Sequence, residues 1–189
     1  MGDFCRAIYR QLTITKGYLS AIILTFAITF VFFPAVMDDT NLGFMVREIS
    51  DNETSWFSLF MLLLFNVGDT AGRMIGGKPC AMLNRKAILC GSFARILFFV
   101  TFIPIIFATS GVFYSDWFII TNALVFGFSN GYFSTLCAIN APGTVPEALR
   151  QETGALVGAV ISIGIVTGCF LAIPMGFVTA AADAKTGKI

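Results

Sequence analysis

Apolar residues run almost unbroken along this chain, and the polar ones gather in short interruptions. Five apolar stretches, Tyr18–Met37, Trp56–Ile75, Ala87–Phe107, Trp117–Ala138 and Thr153–Val178, each reach the roughly 20 residues a helix needs to cross a hydrocarbon core. The runs are continuous rather than alternating and about twice as long as a barrel strand, which favours helices. A bilayer also requires each spanning segment to satisfy its own backbone groups. The pattern predicts an all-α integral membrane protein: a bundle of five transmembrane helices over residues 18–178, an N-terminal segment 1–17 and a short tail 179–189.

Composition sharpens this. Of the 189 residues, 57% are hydrophobic, 21 are Phe and only 12% are charged, with a mean hydropathy of +0.83. So few charges exclude an ordinary soluble globule and a disordered tail. A net charge of +1 gives no footprint for nucleic acid. The absence of histidine removes His bases, His-paired nucleophiles and His metal ligands. No catalytic residue, metal or cofactor is expected, and the chain does not read as an enzyme. Cys5, Cys80, Cys90, Cys137 and Cys169 are widely spaced and odd in number; they read as buried free thiols rather than a disulfide framework. The first apolar run is too long for a signal-peptide core and lacks a small-residue cleavage pattern, so it reads as a retained span.

The connections sort by charge. Arg6, Arg10 and Lys16 precede the first span, and Arg73, Lys78, Arg85 and Lys86 surround the second connection. The first loop instead carries Asp38, Asp39, Glu48, Asp51 and Glu53 against Arg47. The positive-inside rule then places the N-terminus in the cytoplasm, and five spans place the C-terminus outside. Lys185 and Lys188 in the tail count against this orientation. Asn52-Glu53-Thr54 in the acidic loop is a glycosylation acceptor pattern and agrees with it.

Small-residue spacings recur at Gly68/Gly72/Gly76, Gly127/Gly131, Gly154/Gly158 and Gly164/Gly168. In lipid such spacings let helix backbones approach closely. Pro34, Pro104 and Pro174 are expected to bend spans, and Pro142 and Pro146 to stop the fourth helix. Glu147 and Glu152 flank Arg150 where the fifth helix begins. They read as a dipole-favoured helix start or as a cytoplasmic gate contact.

The residues that do not belong in lipid carry the functional argument. The second span holds Asn66, Asp69 and Arg73 in its second half. On an insertion scale each charge costs about 2.5–3.5 kcal/mol at a helix centre, several times what one Leu returns. Asp69 and Arg73 are four apart and share a face, with Asn66 three before Asp69 and Leu62 and Phe65 bordering the strip. Polar handles beside apolar walls suit a small polar ligand with a flat face. The same pair also reads as a structural lock, or as an Arg73 that snorkels to the interface. In the fourth span, Ser129-Asn130-Gly131-Tyr132 interrupts an apolar helix, either as interhelical hydrogen bonding or as part of a pathway. Arg95, early in the third span, reads as a cytoplasmic-side anchor or gate contact.

The elements Phe65-Asn66-Val67-Gly68-Asp69-Thr70-Ala71-Gly72-Arg73, Phe126-Gly127-Phe128-Ser129-Asn130-Gly131-Tyr132, Ala141-Pro142 and Glu152-Thr153-Gly154, with Phe32-Phe33-Pro34-Ala35-Val36 before them, resemble in order and spacing the C-terminal half of the equilibrative nucleoside transporter family, helices seven to eleven. The resemblance covers roughly residues 18–178. It implies one half of a major-facilitator-like bundle in a solute carrier that moves nucleosides or nucleobases by facilitated diffusion with alternating access. By that resemblance Asp69 and Arg73 contact the ribose and polar edge of the substrate. Asn66, Phe33 and Leu62 line the cavity, and Ser129, Asn130 and Tyr132 are pathway positions. Thr153-Gly154-Ala155 departs from the family's usual Thr-Ala-Gly. The resemblance further implies a plasma or organelle membrane and a missing N-terminal six-helix bundle as partner, without which the five spans are incomplete. The competing expectation is a non-transporting membrane subunit, or a degenerate half-transporter, that packs against a partner.

Overall fold

A computed structural model of the chain describes residues 2–33, 55–107 and 111–186. These form α1 (Gly2–Phe32), α2 (Ser55–Gly76), α3 (Arg85–Ala94), α4 (Phe98–Phe107), α5 (Asp116–Gly143) and α6 (Arg150–Thr186), with a short 3-10 turn in each connection from α2 onward. There is no strand among the described residues. Helices α3 and α4 are one broken span, interrupted by the 3-10 turn Arg95–Leu97. The structure is an all-helical membrane bundle, and the expected spans fall on α1, α2, α3–α4, α5 and α6. The acidic loop with Asn52, and Pro34, lie outside the described residues.

Among the described residues, four segments are long and apolar enough to cross a membrane: Leu12–Phe32, Leu59–Gly76, Arg85–Phe107 and Glu147–Ala182. Helix α5 is not among them, although it is 28 residues long. The reason is its position. It packs most extensively on α2 and also on α1, α3 and α6, so Asn122, Asn130 and Ser134 are buried in protein rather than set against lipid. A central helix can carry polar residues that a lipid-facing helix cannot.

Glycine sets the tightest contact. A Cβ on Gly68 would lie 2.5 Å from the Leu124 carbonyl oxygen, and one on Gly72 would collide with the Phe128 carbonyl. From the other side, a Cβ on Gly127 would collide with the Phe65 carbonyl and one on Gly131 with the Asp69 carbonyl. Thus α2 and α5 meet backbone to backbone, as small residues permit. Gly164 and Gly168 of α6 likewise receive Ile23, Phe26, Ala27 and Phe30 of α1. Gly154 and Gly158 have no neighbour within 4 Å, so that expected packing pair has no partner among the described residues. Pro142 does not stop α5, which continues through it to Gly143. Proline removes a single N–H bond, and one turn from a helix end that loss is small.

Two apolar clusters fill the bundle. One gathers Ile28, Phe32, Met61, Phe65, Phe102, Ile119 and Phe126. The other gathers Tyr18, Ile22, Phe26, Ile88, Leu136 and Val160. Along α1, α3–α4 and α5 the switch between clusters falls at Thr25–Thr29, at Arg95 and at Asn130, all buried. A polar layer therefore separates two dry cores. Of the described cysteines only Cys137 is buried; Cys80, Cys90 and Cys169 are exposed, because they sit on outward faces of a bundle whose exterior is itself apolar.

Candidate functional site

The polar layer is built by four helices. On α2, Asp69 and Arg73 form the expected pair: Arg73 Nε donates to Asp69 Oδ2 at 2.7 Å. The Asp69 side chain is 14% exposed and that of Arg73 is 47% exposed. The carboxylate thus sits inside while the guanidinium reaches the open face. Its Nε is turned back to Asp69 instead of extending past the end of α2 at Gly76.

From α5, Asn130 Nδ2 donates to Asp69 Oδ1 at 2.7 Å. Asn130 is 3% exposed, and its Oδ1 accepts from Thr29 Oγ1 of α1 at 2.7 Å. Thr29 in turn accepts from Arg95 Nη2 at 2.7 Å. Arg95 Nη1 donates to Ser129 Oγ and, at 3.2 Å, to the Phe126 carbonyl. The guanidinium carbon of Arg95 lies 4.9 Å above the Phe126 ring, close enough for cation–π attraction.

Arg95 corrects the sequence reading. It does not snorkel to the interface; it is 1% exposed. The signal was present in its depth. Arg95 stands ten residues into the segment that starts at Arg85. At about 1.5 Å per residue that is about 15 Å, the middle of a core about 30 Å thick. Thr29 was also missed, because a threonine inside an apolar helix ordinarily bonds only its own helix. Here it does that, at 2.8 Å from the Thr25 carbonyl oxygen, and bridges two other helices as well.

The other expected site residues divide. Asn66 is exposed, and its Nδ2 donates to the Leu62 carbonyl at 2.7 Å, which leaves its oxygen facing outward with the half-exposed Arg73. Leu62 is 38% exposed beside it. Phe33 stacks on Phe65 with ring centres 4.6 Å apart, which closes the apolar side of the strip. Ser129 belongs to the buried layer through Arg95. Tyr132 does not reach the Asp69 cluster: its hydroxyl donates to the Ala81 carbonyl at 2.7 Å, fastening the connection after α2 to α5. Nearby, an apolar cleft of about 260 Å³ is lined by Val67, Gly68, Ala71, Leu124, Val125 and Phe128. It offers no polar handle, so the charged strip remains the better solute contact.

Leu62, Asn66, Thr70 and Arg73 are all exposed. At spacings of three and four they form one stripe along α2, next to the buried carboxylate of Asp69. The arrangement can present an amide, a hydroxyl and a guanidinium to a small polar solute, with a carboxylate behind them to hold the cation.

A family profile described as "Nucleoside transporter" matches residues 4–177. The chain belongs to the nucleoside transporter family. Among curated proteins it is similar to Nucleoside transporter 1.2 of Leishmania donovani, 29% identical over 175 residues, 88% of this chain and 33% of that protein. It is also similar to two proteins of Rattus norvegicus. Equilibrative nucleoside transporter 2 is 29% identical over 87% of this chain and 36% of that protein. Equilibrative nucleoside transporter 3 is 28% identical over 82% of this chain and 34% of that protein. The chain thus spans about a third of the length of these relatives. No solved structure matches it. Its family is one of multi-pass membrane carriers, not enzymes.

Proposed function

We propose that the chain forms one wall of a path for nucleosides or nucleobases, moved by facilitated diffusion with alternating access. The supporting observation is the exposed stripe of α2. Arg73, Asn66 and Thr70 stand outward on a membrane helix, where hydrocarbon would oppose them. Such a face looks onto water or onto another protein. Its natural occupants are a hydrated solute and, across it, an N-terminal six-helix bundle that supplies the opposite wall.

In this reading Arg73 donates to carbonyl or ring-nitrogen acceptors of the base or to sugar oxygens. Asp69 Oδ1 takes bonds from Asn130 and from Arg73 Nη2, while Oδ2 takes one from Arg73 Nε and keeps an open lone pair, which suits it to accept from a ribose hydroxyl. Asn66 and Leu62 complete the strip, and the stacked Phe33 and Phe65 offer an aromatic wall for a flat base. Ser129 and Asn130 support the site from α5. Tyr132 fixes the neighbouring connection, so its pathway role is at most indirect. Loop charges favour a cytoplasmic N-terminus and an outward C-terminus, in a plasma or organelle membrane. The competing reading, a packing subunit that carries nothing, is weakened because Gly68, Gly72, Gly127, Gly131, Gly164 and Gly168 are used within the chain.

The test is uptake of radiolabelled uridine and adenosine into vesicles carrying the chain, with and without a co-expressed six-helix half from a relative. Saturable uptake that Asp69→Ala and Arg73→Ala abolish is the expected result. Uptake indifferent to both substitutions overturns the assignment of the site.

A further inference from the structure

We infer that Arg95 is a positioning residue that holds the Asp69 carboxylate in its working orientation through a directed relay, Arg95 to Thr29 to Asn130 to Asp69. The observations are three consecutive bonds of 2.7 Å across α3–α4, α1, α5 and α2, in a layer where Arg95, Thr29 and Asn130 are all 3% exposed or less.

The chemistry fixes the direction of every bond. An ionised carboxylate only accepts, so the Asn130 amide must turn its NH₂ to Asp69 and its oxygen to Thr29. A guanidinium only donates, so the bond from Arg95 occupies an oxygen lone pair of Thr29. The single hydroxyl proton of Thr29 is then directed away from Arg95 and is shared between two acceptors, the Asn130 oxygen and the Thr25 carbonyl. Reversing any one bond would set two donors or two acceptors face to face at 2.7 Å. The relay therefore has one orientation, and in a dry interior its bonds reinforce one another.

Among the described residues Arg95 has no carboxylate in direct contact; its bonds go to Ser129, Thr29 and the Phe126 carbonyl. Its charge is balanced at a distance by Asp69, whose other oxygen is held by Arg73. Asp69 is thus gripped by a half-exposed cation on one side and, through two neutral groups, by a buried cation on the other. When Arg73 exchanges its bonds to Asp69 for bonds to a solute, the relay keeps the carboxylate in place.

The consequence for nucleoside binding rests on the function proposed above; the relay itself does not. The experiment uses the full chain, labelled with ¹⁵N-asparagine and held in lipid nanodiscs, and follows the side-chain amide signals. The Asn130 signal is assigned by its disappearance in Asn130→Gln, and Asn84, whose side chain caps α3, serves as the folding reference. We expect Arg95→Met and Thr29→Val to move the Asn130 signal upfield toward ordinary amides, with Asn84 unchanged. Thr29→Ser, which restores the hydroxyl, should leave it in place. Should Arg95→Met fail to fold, the Val and Ser variants at position 29 carry the test alone. In the same samples, uridine affinity should fall about tenfold in Arg95→Met and Thr29→Val, the worth of one charge-assisted bond, and hold in Thr29→Ser. An Asn130 signal indifferent to Thr29→Val overturns the relay. A signal that moves as expected in a chain that binds no nucleoside even with a co-expressed six-helix half from a relative upholds the relay and overturns the proposed function.

Discussion

Gly131→Ala is the sharpest probe of how packing holds the site. Its Cβ would collide with the Asp69 carbonyl oxygen and lie 2.8 Å from the Asp69 carbonyl carbon and 2.9 Å from the Arg73 nitrogen. A Cβ needs about 3 Å or more from such an oxygen, so α2 and α5 must part by roughly 1 Å or more at this level. The 2.7 Å bond from Asn130 to Asp69 spans the same gap and stretches beyond about 3.5 Å, which breaks it. Overpacking costs about 1–3 kcal/mol. A charge-assisted bond is worth about 1.5–3 kcal/mol in general, though bonds between membrane helices average about 0.6. A total of about 2–3 kcal/mol follows, a drop in the folding equilibrium of at least about 30-fold. The assay is reversible unfolding in mixed micelles, with uridine affinity measured beside it. Gly158→Ala is the internal control. Its Cβ meets nothing within 4 Å, so it should be neutral, or stabilising by up to about 1 kcal/mol as glycine leaves a helix. If the two variants unfold alike, within about 0.5 kcal/mol, the backbone contact between α2 and α5 is not what holds the site together.

Three further outcomes are expected. Arg73→Lys keeps the charge but loses the planar fork, so uridine affinity should fall about tenfold with little change in the unfolding midpoint, as befits a half-exposed side chain. Phe126→Ala removes a fully buried ring that contacts Phe32, Phe98 and Phe102 at centroid distances of 4.9–6.0 Å and lies under Arg95. It should cost about 3 kcal/mol or more in the same unfolding assay. A glycosidase-sensitive mass shift that Asn52→Gln abolishes should appear on expression in eukaryotic cells; modification instead of a site engineered into residues 78–86 would invert the orientation derived from the loop charges.

The sequence alone determined the bilayer, the spans and the charged strip. Long apolar runs have one physical solution in lipid, the helix, and a charge placed in such a run has few places to go. That made Asp69, Arg73 and Asn66 legible, because i,i+3 and i,i+4 spacing within one helix is a local property. The glycine spacings were legible as contact faces but not as pairs. Only the tertiary structure decided that α2 meets α5, that α6 meets α1, and that Gly154 and Gly158 meet nothing among the described residues. It also decided where Arg95 goes. Hydropathy sees a charge in a helix but not the two other helices that bond it, so an interface anchor and a buried clamp look alike in one dimension. The relay from Arg95 to Asp69 joins residues 29, 69, 95 and 130, far apart along the chain. No spacing rule reaches that far. Burial, shared among four helices, is what turned scattered polar residues into one network.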